Sequence, residues 1–367
     1  MSETEEHYLD TPEAISAYFD RLSKEDHSVC AVDTEADSLH SYDTKMCLIQ
    51  FAVPGNLAII DPLAVELEEL EPMLDFFKST RAIWMHGADY DMSMFRKTFD
   101  WIPDVVWDTQ SAARLLGVRK YGLANLLEQE FDLVVSKQSQ KANWGRRPLS
   151  PKMLAYAFND VRYLIELGNR YLERLEEKGR RGWFEEMCSY ARTIAVERTE
   201  RSEDEVWRIN GWGKLDRKGL AFLRGLWQWR DEECRRLDRP HFKFMSNNEL
   251  IEFSKQLQKG ERIEPPKYLR PAFARRLLKT ISEIREIPES DYPVKYRKNG
   301  GPRIEIDEAR FQKIRNYRDK VAAELDIDST LIATRQSLEL LAAPNLEQEN
   351  KEELLLKWQR ELIQEVL

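Results

Sequence analysis

Cysteine is scarce, and its placement excludes much. The chain has four in 367 residues, Cys30, Cys47, Cys188 and Cys234, all far apart. None forms a C-x-x-C pair, which argues against a zinc site and a disulfide framework. Long apolar runs are also missing. None approaches the roughly 18 residues of a membrane span, so no membrane partner is expected. The opening decapeptide, MSETEEHYLD, lacks the basic and apolar regions of a secretory signal. The expected compartment is the reducing cytoplasm. Net positive charge is absent too, with 56 Lys+Arg against 65 Asp+Glu giving −9. Such a chain is no general binder of polyanions, and contacts to nucleic acid must come from local basic patches. Nothing demands a dimer, so a monomer is the default.

What is present supports folded domains. Apolar residues make up 42% of the chain, with ten Trp, thirteen Tyr and fifteen Phe. A disordered chain lacks that supply. The length suggests two or three domains. Over the first 110 residues, strand-like and helix-like segments alternate. Thr11-Pro12-Glu13 reads as an N-cap, a first-turn proline and an acidic first turn, with Ile15, Phe19 and Leu22 on one face. Val29 to Asp33, Met46 to Val53, Leu57 to Ile60, Ala82 to Met85 and Val105 to Trp107 are five strand candidates. Leu67 to Phe77 reads as a helix. Interleaved strands and helices predict an α/β sheet, and the tight turn Pro54-Gly55-Asn56 predicts an antiparallel pair within it. From Ser111 onward the pattern is helical, with long stretches at Pro151 to Glu177 and Phe184 to Glu200 broken at Gly179–Gly182. Trp207 to Lys214 is turn-rich and marks a domain boundary.

The C-terminal region contains a repeat. Trp229 placed over Tyr317 puts Arg230, Asp231, Leu237, Asp238 and Leu250 on Arg318, Asp319, Leu325, Asp326 and Leu338 without gaps. Phe244 falls on Ile332. Two small helical modules follow, joined by a Pro/Gly-rich linker from Ile287 to Arg303.

Three elements carry acids. Val32-Asp33-Thr34-Glu35 puts two carboxylates on one face of a strand end, where a divalent cation would offset their repulsion. Alone, the pattern fits a solvent-facing strand equally well. His86 to Phe95 follows a strand and offers Asp91 in the first helical turn, with Asp89 as competitor. Acids there also suit a helix dipole. Tyr156 and Asp160 stand at i and i+4 on one helix face. Taken together, Asp33, Glu35, Asp91, Tyr156 and Asp160 resemble the DEDD superfamily of 3′–5′ exonucleases in its Tyr subclass. Cys47-Leu48-Ile49-Gln50, Asp108-Thr109-Gln110 and the segment from Trp144 to Leu149 resemble stretches of the ribonuclease D family.

That resemblance implies an α/β, RNase H-like exonuclease domain with a mixed sheet over residues 1–205. It implies two all-α HRDC modules at 212–290 and 305–367. It implies a 3′–5′ exoribonuclease releasing nucleoside 5′-monophosphates, with RNA as partner: tRNA precursors and other structured RNA 3′ ends. Hard oxygen ligands select Mg²⁺ or Mn²⁺, and a two-cation mechanism suits phosphodiester hydrolysis. Asp33 would bridge the cations, Glu35 and Asp160 would complete the water-activating one, and Asp91 would hold the second. Tyr156 would orient the attacking water. A DNA 3′–5′ exonuclease and an inactive RNA-binding scaffold are the alternatives.

Charge is segregated along the chain. Residues 1–100 hold 7 basic and 21 acidic side chains, a net −14, whereas residues 111–183 hold 14 and 8, a net +6. Lys137, Lys141, Arg146 and Arg147 precede the Tyr-Asp helix and are candidate phosphate contacts. Trp144 among them reads as packing for this loop. His40 and Met46, close to the first acids in sequence, are candidate contacts to a terminal nucleotide. Arg270, Arg275, Arg276 and Lys279 could extend the path.

Overall fold

The apolar runs assemble into a six-stranded sheet. Its strands are β1 (Glu5–Leu9), β2 (Val29–Ala36), β3 (Met46–Val53), β4 (Asn56–Ile60), β5 (Ala82–Met85) and β6 (Val106–Asp108), in the order β1-β4-β3-β2-β5-β6. The β2–β3 and β3–β4 pairs are antiparallel, and β1–β4, β2–β5 and β5–β6 are parallel. The mixed sheet matches the expectation from sequence. All eight residues of β3 are buried, as a strand covered on both faces requires. Gly55, at φ +82°, makes the turn into β4. The sequence pattern offers five strands, and β1 is the addition. Only Leu9 of its five residues is buried, so it lacks an alternating signature and exists by pairing with β4.

The computed structural model describes residues 4–136, 138–199, 202–295, 305–345, 351 and 353–367. Helices cover the sheet on both sides. Alpha helices α1 (Pro12–Leu22), α2 (Glu71–Ser79) and α3 (Asp89–Phe99) pack with Cys30, Val32, Ile49 and Phe51. On the other face, α4 (Thr109–Leu115), α5 (Leu123–Phe131), α6 (Pro151–Arg162), α7 (Leu164–Glu177) and α8 (Arg181–Glu197) pack with Ala31, Leu48, Ala52 and Trp84. The N-cap of α1 is Thr11, whose Oγ1 accepts from the Ala14 amide at 3.3 Å. Ile15, Phe19 and Leu22 are buried, as predicted. The long helix expected over 151–177 is two helices, divided at Tyr163. Gly168 lets α7 approach β5, since a Cβ there would lie 2.4 Å from the Trp84 ring.

The chain divides into two compact units. One comprises Met1–Ala36, Lys45–Arg198 and Pro302–Leu367, and the other comprises Asp37–Thr44 and Thr199–Gly301. The second unit holds α9 (Glu203–Val206), α10 (Arg217–Arg236), α11 (His241–Phe244), α12 (Asn247–Gln258) and α13 (Pro271–Arg285) around Trp207, Leu223, Leu226, Trp229 and Ile281. The tail of the first unit holds α14 (Glu308–Glu324), α15 (Ser329–Ile332), α16 (Arg335–Leu341) and α17 (Lys357–Ile363). Its Phe311, Ile314, Leu331 and Trp358 share one apolar cluster with Trp84 and Phe184. Trp358 stacks on Trp183 at 4.8 Å between centroids. Arg180 donates to the carbonyls of both Leu115 and Leu325. The last module expected from sequence is thus built into the same core as the sheet.

The repeat is visible in local structure. Helices α11 and α15 occupy matching positions, and α12 and α16 begin at matching positions. Asp238 and Asp326 both turn the corner in left-handed conformation, at φ +46° and +51°. Arg230 donates to the Met245 carbonyl at 2.9 Å, and its counterpart Arg318 donates to the Ala333 carbonyl at 2.5 Å. Of the expected linker, residues 287–295 contain one short turn, Glu289–Asp291, and the rest lies outside the described residues.

Candidate active site

The acids converge at the end of β2. Asp33 and Glu35 project from one face of that strand, the face that α6 covers. Asp160 stands one turn after Tyr156 on α6. Carboxylate oxygens of Asp33, Glu35 and Asp160 all lie within 4.8 Å of one another. The Tyr156 hydroxyl hydrogen-bonds Asp160. Helix α6 starts at Ser150, whose Oγ caps the Met153 amide at 3.3 Å, with Pro151 in the first turn.

Asp91 sits in the first turn of α3 and is 4% exposed. Its Oδ1 accepts a 2.6 Å hydrogen bond from Thr34 Oγ1. It is not one of the three clustered carboxylates, yet its charge reaches Asp33, Glu35 and Asp160. Asp89 is exposed and pairs with Arg198 at 3.0 Å.

Burial, followed for Asp33, Glu35 and Asp160 by repulsion from neighbouring acids, raises the pKa values of the cluster. Asp33 is held well above the usual carboxylate range by burial, then by the charges of Asp91, Asp160 and Glu35. Glu35 is pushed up to about 9 by burial, then by Asp160 and Asp91. Burial pushes Asp91 and Asp160 up to about 7. Tyr156 is raised by burial and by Asp160, Glu35 and Asp33, so it stays protonated at neutral pH. Among the described residues lining the cavity of about 400 Å³ that contains Asp33, Glu35, Tyr156 and Asp160, none is Lys or Arg. Gln50, directly opposite Asp33 on β3, is fully buried, and its amide has no hydrogen-bond partner among the described residues. Repelling hard-oxygen donors without basic partners in the cavity are the environment a divalent cation would stabilise.

The turn from β5 into α3 is anchored by the Asp108-Thr109-Gln110 stretch. Asp108 Oδ1 accepts from the Gly87 amide at 2.7 Å and caps α4 through the Gln110 amide at 2.9 Å. Gly87 takes φ +69°. Thr109 Oγ1 donates to the Met85 carbonyl at 3.1 Å, which leaves it to accept from His86 Nδ1 at 2.9 Å. Burial lowers the His86 pKa, so the ring is neutral with Nε2 as its acceptor. His86, Tyr90, Gln110, Ser136 and Gln140 line the cavity. The sequence alone assigns them no role, because His86, Tyr90 and Gln110 stand in motifs read for their acids or their resemblance, and Ser136 and Gln140 stand in none.

A family profile described as 3′–5′ exonuclease matches residues 7–176. A protein named Ribonuclease D from Gluconacetobacter diazotrophicus is 26% identical over 362 residues, covering 96% of this chain and 89% of that protein. Another Ribonuclease D, from Xanthomonas oryzae, is 27% identical over 374 residues, covering 98% and 96%. By sequence the chain is similar to ribonuclease D proteins over nearly its whole length. Its fold agrees, for the crystal structure of Escherichia coli RNase D superposes with a TM-score of 0.71 at 21% identity, covering 98% of this chain and 99% of that one.

Within this ribonuclease D fold, the expected nucleic-acid contacts fare unequally. Lys141 and Arg146 are exposed on the loop before α6. Lys137 lies outside the described residues. Met46 is a correction. It is 3% exposed and buried in the cluster of α1, α2 and α3, so it presents nothing to a nucleotide. Arg147 is a second correction, since its guanidinium pairs with the buried Asp61. His40 belongs to the second unit, 3.4 Å from Lys243 Nζ. Trp144 is 1% exposed, with its ring 5.9 Å from that of Tyr156, which is the packing role expected of it. Arg276, one of the basic candidates in the helical region, pairs with Glu233.

Proposed function

We propose that this 3′–5′ exoribonuclease removes nucleoside 5′-monophosphates one at a time from RNA, and that tRNA precursors and other structured 3′ ends are its substrates. The observation that carries the reading is the half-buried Asp33–Glu35–Asp160 cluster with Asp91 close by and Tyr156 bonded to it. Two divalent cations, Mg²⁺ or Mn²⁺, would activate water and neutralise the leaving oxygen. Asp33 is read as the bridging ligand, Glu35 and Asp160 as ligands of one ion, and Asp91 as ligand of the other, directly or through water. Thr34 Oγ1 and the backbone of Thr34 and Asp91 steady the Asp91 carboxylate by hydrogen bonds. Tyr156, protonated, positions the attacking water and does not abstract its proton. Water attacks the terminal phosphorus, the P–O3′ bond breaks, and the RNA keeps a new 3′-hydroxyl.

Lys141 and Arg146, with Lys137, are proposed to follow the RNA phosphates towards the cavity. Residues 1–205 are read as the exonuclease domain, and 212–290 and 305–367 as HRDC domains. A cytoplasmic monomer is the working state. No helix among the described residues is long and apolar enough to cross a membrane.

The test is a time course on a 3′-tailed tRNA and a matched DNA strand, both 5′-labelled, with Mg²⁺, Mn²⁺ or chelator. Stepwise shortening of the RNA from its 3′ end, abolished by chelator, is expected. Preferred shortening of DNA would establish the DNA exonuclease instead, and binding without shortening would establish the scaffold.

A further inference from the structure

We infer that Arg147 is a positioning residue for Tyr156, and that its ion pair with Asp61 holds the described part of the loop before α6 against the active site. The inference rests on the proposed role of Tyr156 as the group that orients water.

By sequence, Arg147 looks like a phosphate contact. The structure uses all five of its N–H donors internally. Nε and Nη2 donate to the Asp61 carboxylate, the latter at 2.6 Å. Nη1 donates to the carbonyls of Trp144 at 2.7 Å and Arg146 at 2.9 Å. Nη2 also donates to the Cys47 carbonyl at 2.9 Å. No donor remains for a phosphate. The acceptors come from three segments: β3, the residue after β4, and the loop itself.

Asp61 is built to receive this fork. It is 1% exposed, and it also accepts from the Tyr8 hydroxyl at 2.5 Å and the Leu63 amide at 3.1 Å. Burial pushes its carboxyl up, but the bonds from Arg147 and Tyr8 outweigh burial and hold it below the usual range. A planar guanidinium makes this two-point contact, and a lysine ammonium does not.

The clamp reaches the site through Trp144. Arg147 holds its backbone carbonyl, and its buried ring forms a wall beside the Tyr156 ring. Val135, Ser136 and Gln140 of the same loop line the cavity with Tyr156 and the acids. Arg147 itself is not among the lining residues.

The experiment uses the full chain and its Arg147→Lys, Arg147→Gln, Asp61→Asn and Trp144→Phe variants. Each is made alone and combined with Tyr156→Phe. Thermal melts set an assay temperature at which every variant is folded. Then kcat and KM are measured on an unstructured RNA with Mg²⁺. Displaced positioning groups lower turnover by roughly ten- to a hundred-fold. The expected result is such a loss of kcat in Arg147→Lys and Asp61→Asn, with KM within about two-fold and a smaller loss for Trp144→Phe. The loss should vanish in the Tyr156→Phe background, because the clamp acts through that residue. A phosphate contact would behave otherwise. Arg147→Lys would keep kcat, Arg147→Gln would raise KM and reduce the salt slope of binding by about one, and losses would multiply with Tyr156→Phe. That pattern overturns the positioning role alone. An unchanged kcat in Tyr156→Phe by itself overturns the role of Tyr156 and the clamp with it.

Discussion

Buried charge is treated in opposite ways at the end of β2 and in the helical repeats. In the repeats the buried Arg230, Arg318 and Glu233 meet partners. Arg230, 1% exposed, donates to the Met245 carbonyl and to Asn247, and Arg318 repeats the carbonyl contact. Glu233 receives Arg236 and Arg276. At the end of β2, Asp33, Glu35 and Asp160 face one another with the Asp91 charge nearby, and no Lys or Arg is among the described residues lining their cavity. Paired buried charge serves folding, whereas uncompensated buried charge is a standing cost that a ligand can offset.

The largest expected effect comes from removing the central repelling charge. Asp33→Asn should lower kcat about a thousand-fold or more, roughly 4 kcal/mol, while the metal-free protein melts no lower than the parent. Near-parental turnover would end its assignment as the bridging ligand. Next, Asp91→Asn should lose about a hundred-fold in kcat, roughly 3 kcal/mol, while Asp89→Asn, whose partner is an exposed arginine, loses less than about two-fold. The reverse ranking would move the site two residues upstream.

The paired side of the comparison predicts stability effects instead. Arg230→Met and Arg318→Met each strand a buried carbonyl and should lower unfolding free energy by about 2 kcal/mol in urea titrations. Folded Arg230→Met protein should keep its kcat. A neutral melt would mean these arginines are not structural. The smallest effect is pH-dependent. Asp91, Asp160 and Glu35 have folded pKa values above their unfolded values. Their contribution is therefore fully present in acid and is lost as pH rises through about 7 and then about 9. The chelated protein should melt lower at pH 9 than at pH 6, and Mg²⁺ should stabilise it more as pH rises, because cation binding needs the ionised carboxylates. Equal melting at both pH values would contradict the clustered acids.

Much of this was legible beforehand. The N-cap at Thr11, the Gly55 turn, the antiparallel β3–β4 pair and the Asp33, Glu35 and Tyr156–Asp160 elements all lie in short windows. Their signals are local, so a linear reading finds them. The repeat was legible for the same reason, since each copy carries its own corner aspartate and buried arginine. The lining residues Tyr90, Ser136 and Gln140 were not, because no local pattern distinguishes them from ordinary polar surface.

The sequence by itself determined the element types, the mixed α/β sheet and the helical repeat, because caps, turn glycines and apolar periodicity act over a few residues. The tertiary structure alone decided what each side chain meets. Strand β1 exists only through β4. Arg147 turned from a candidate phosphate contact into an internal clamp through Asp61, 86 residues away. Asp89 was drawn off by Arg198, 109 residues away. Met46 went into the core, and the last helical module joined the core of the sheet. Each outcome depends on a partner distant in sequence, and pairing over such distances is set by packing the whole unit, which no short window of residues encodes.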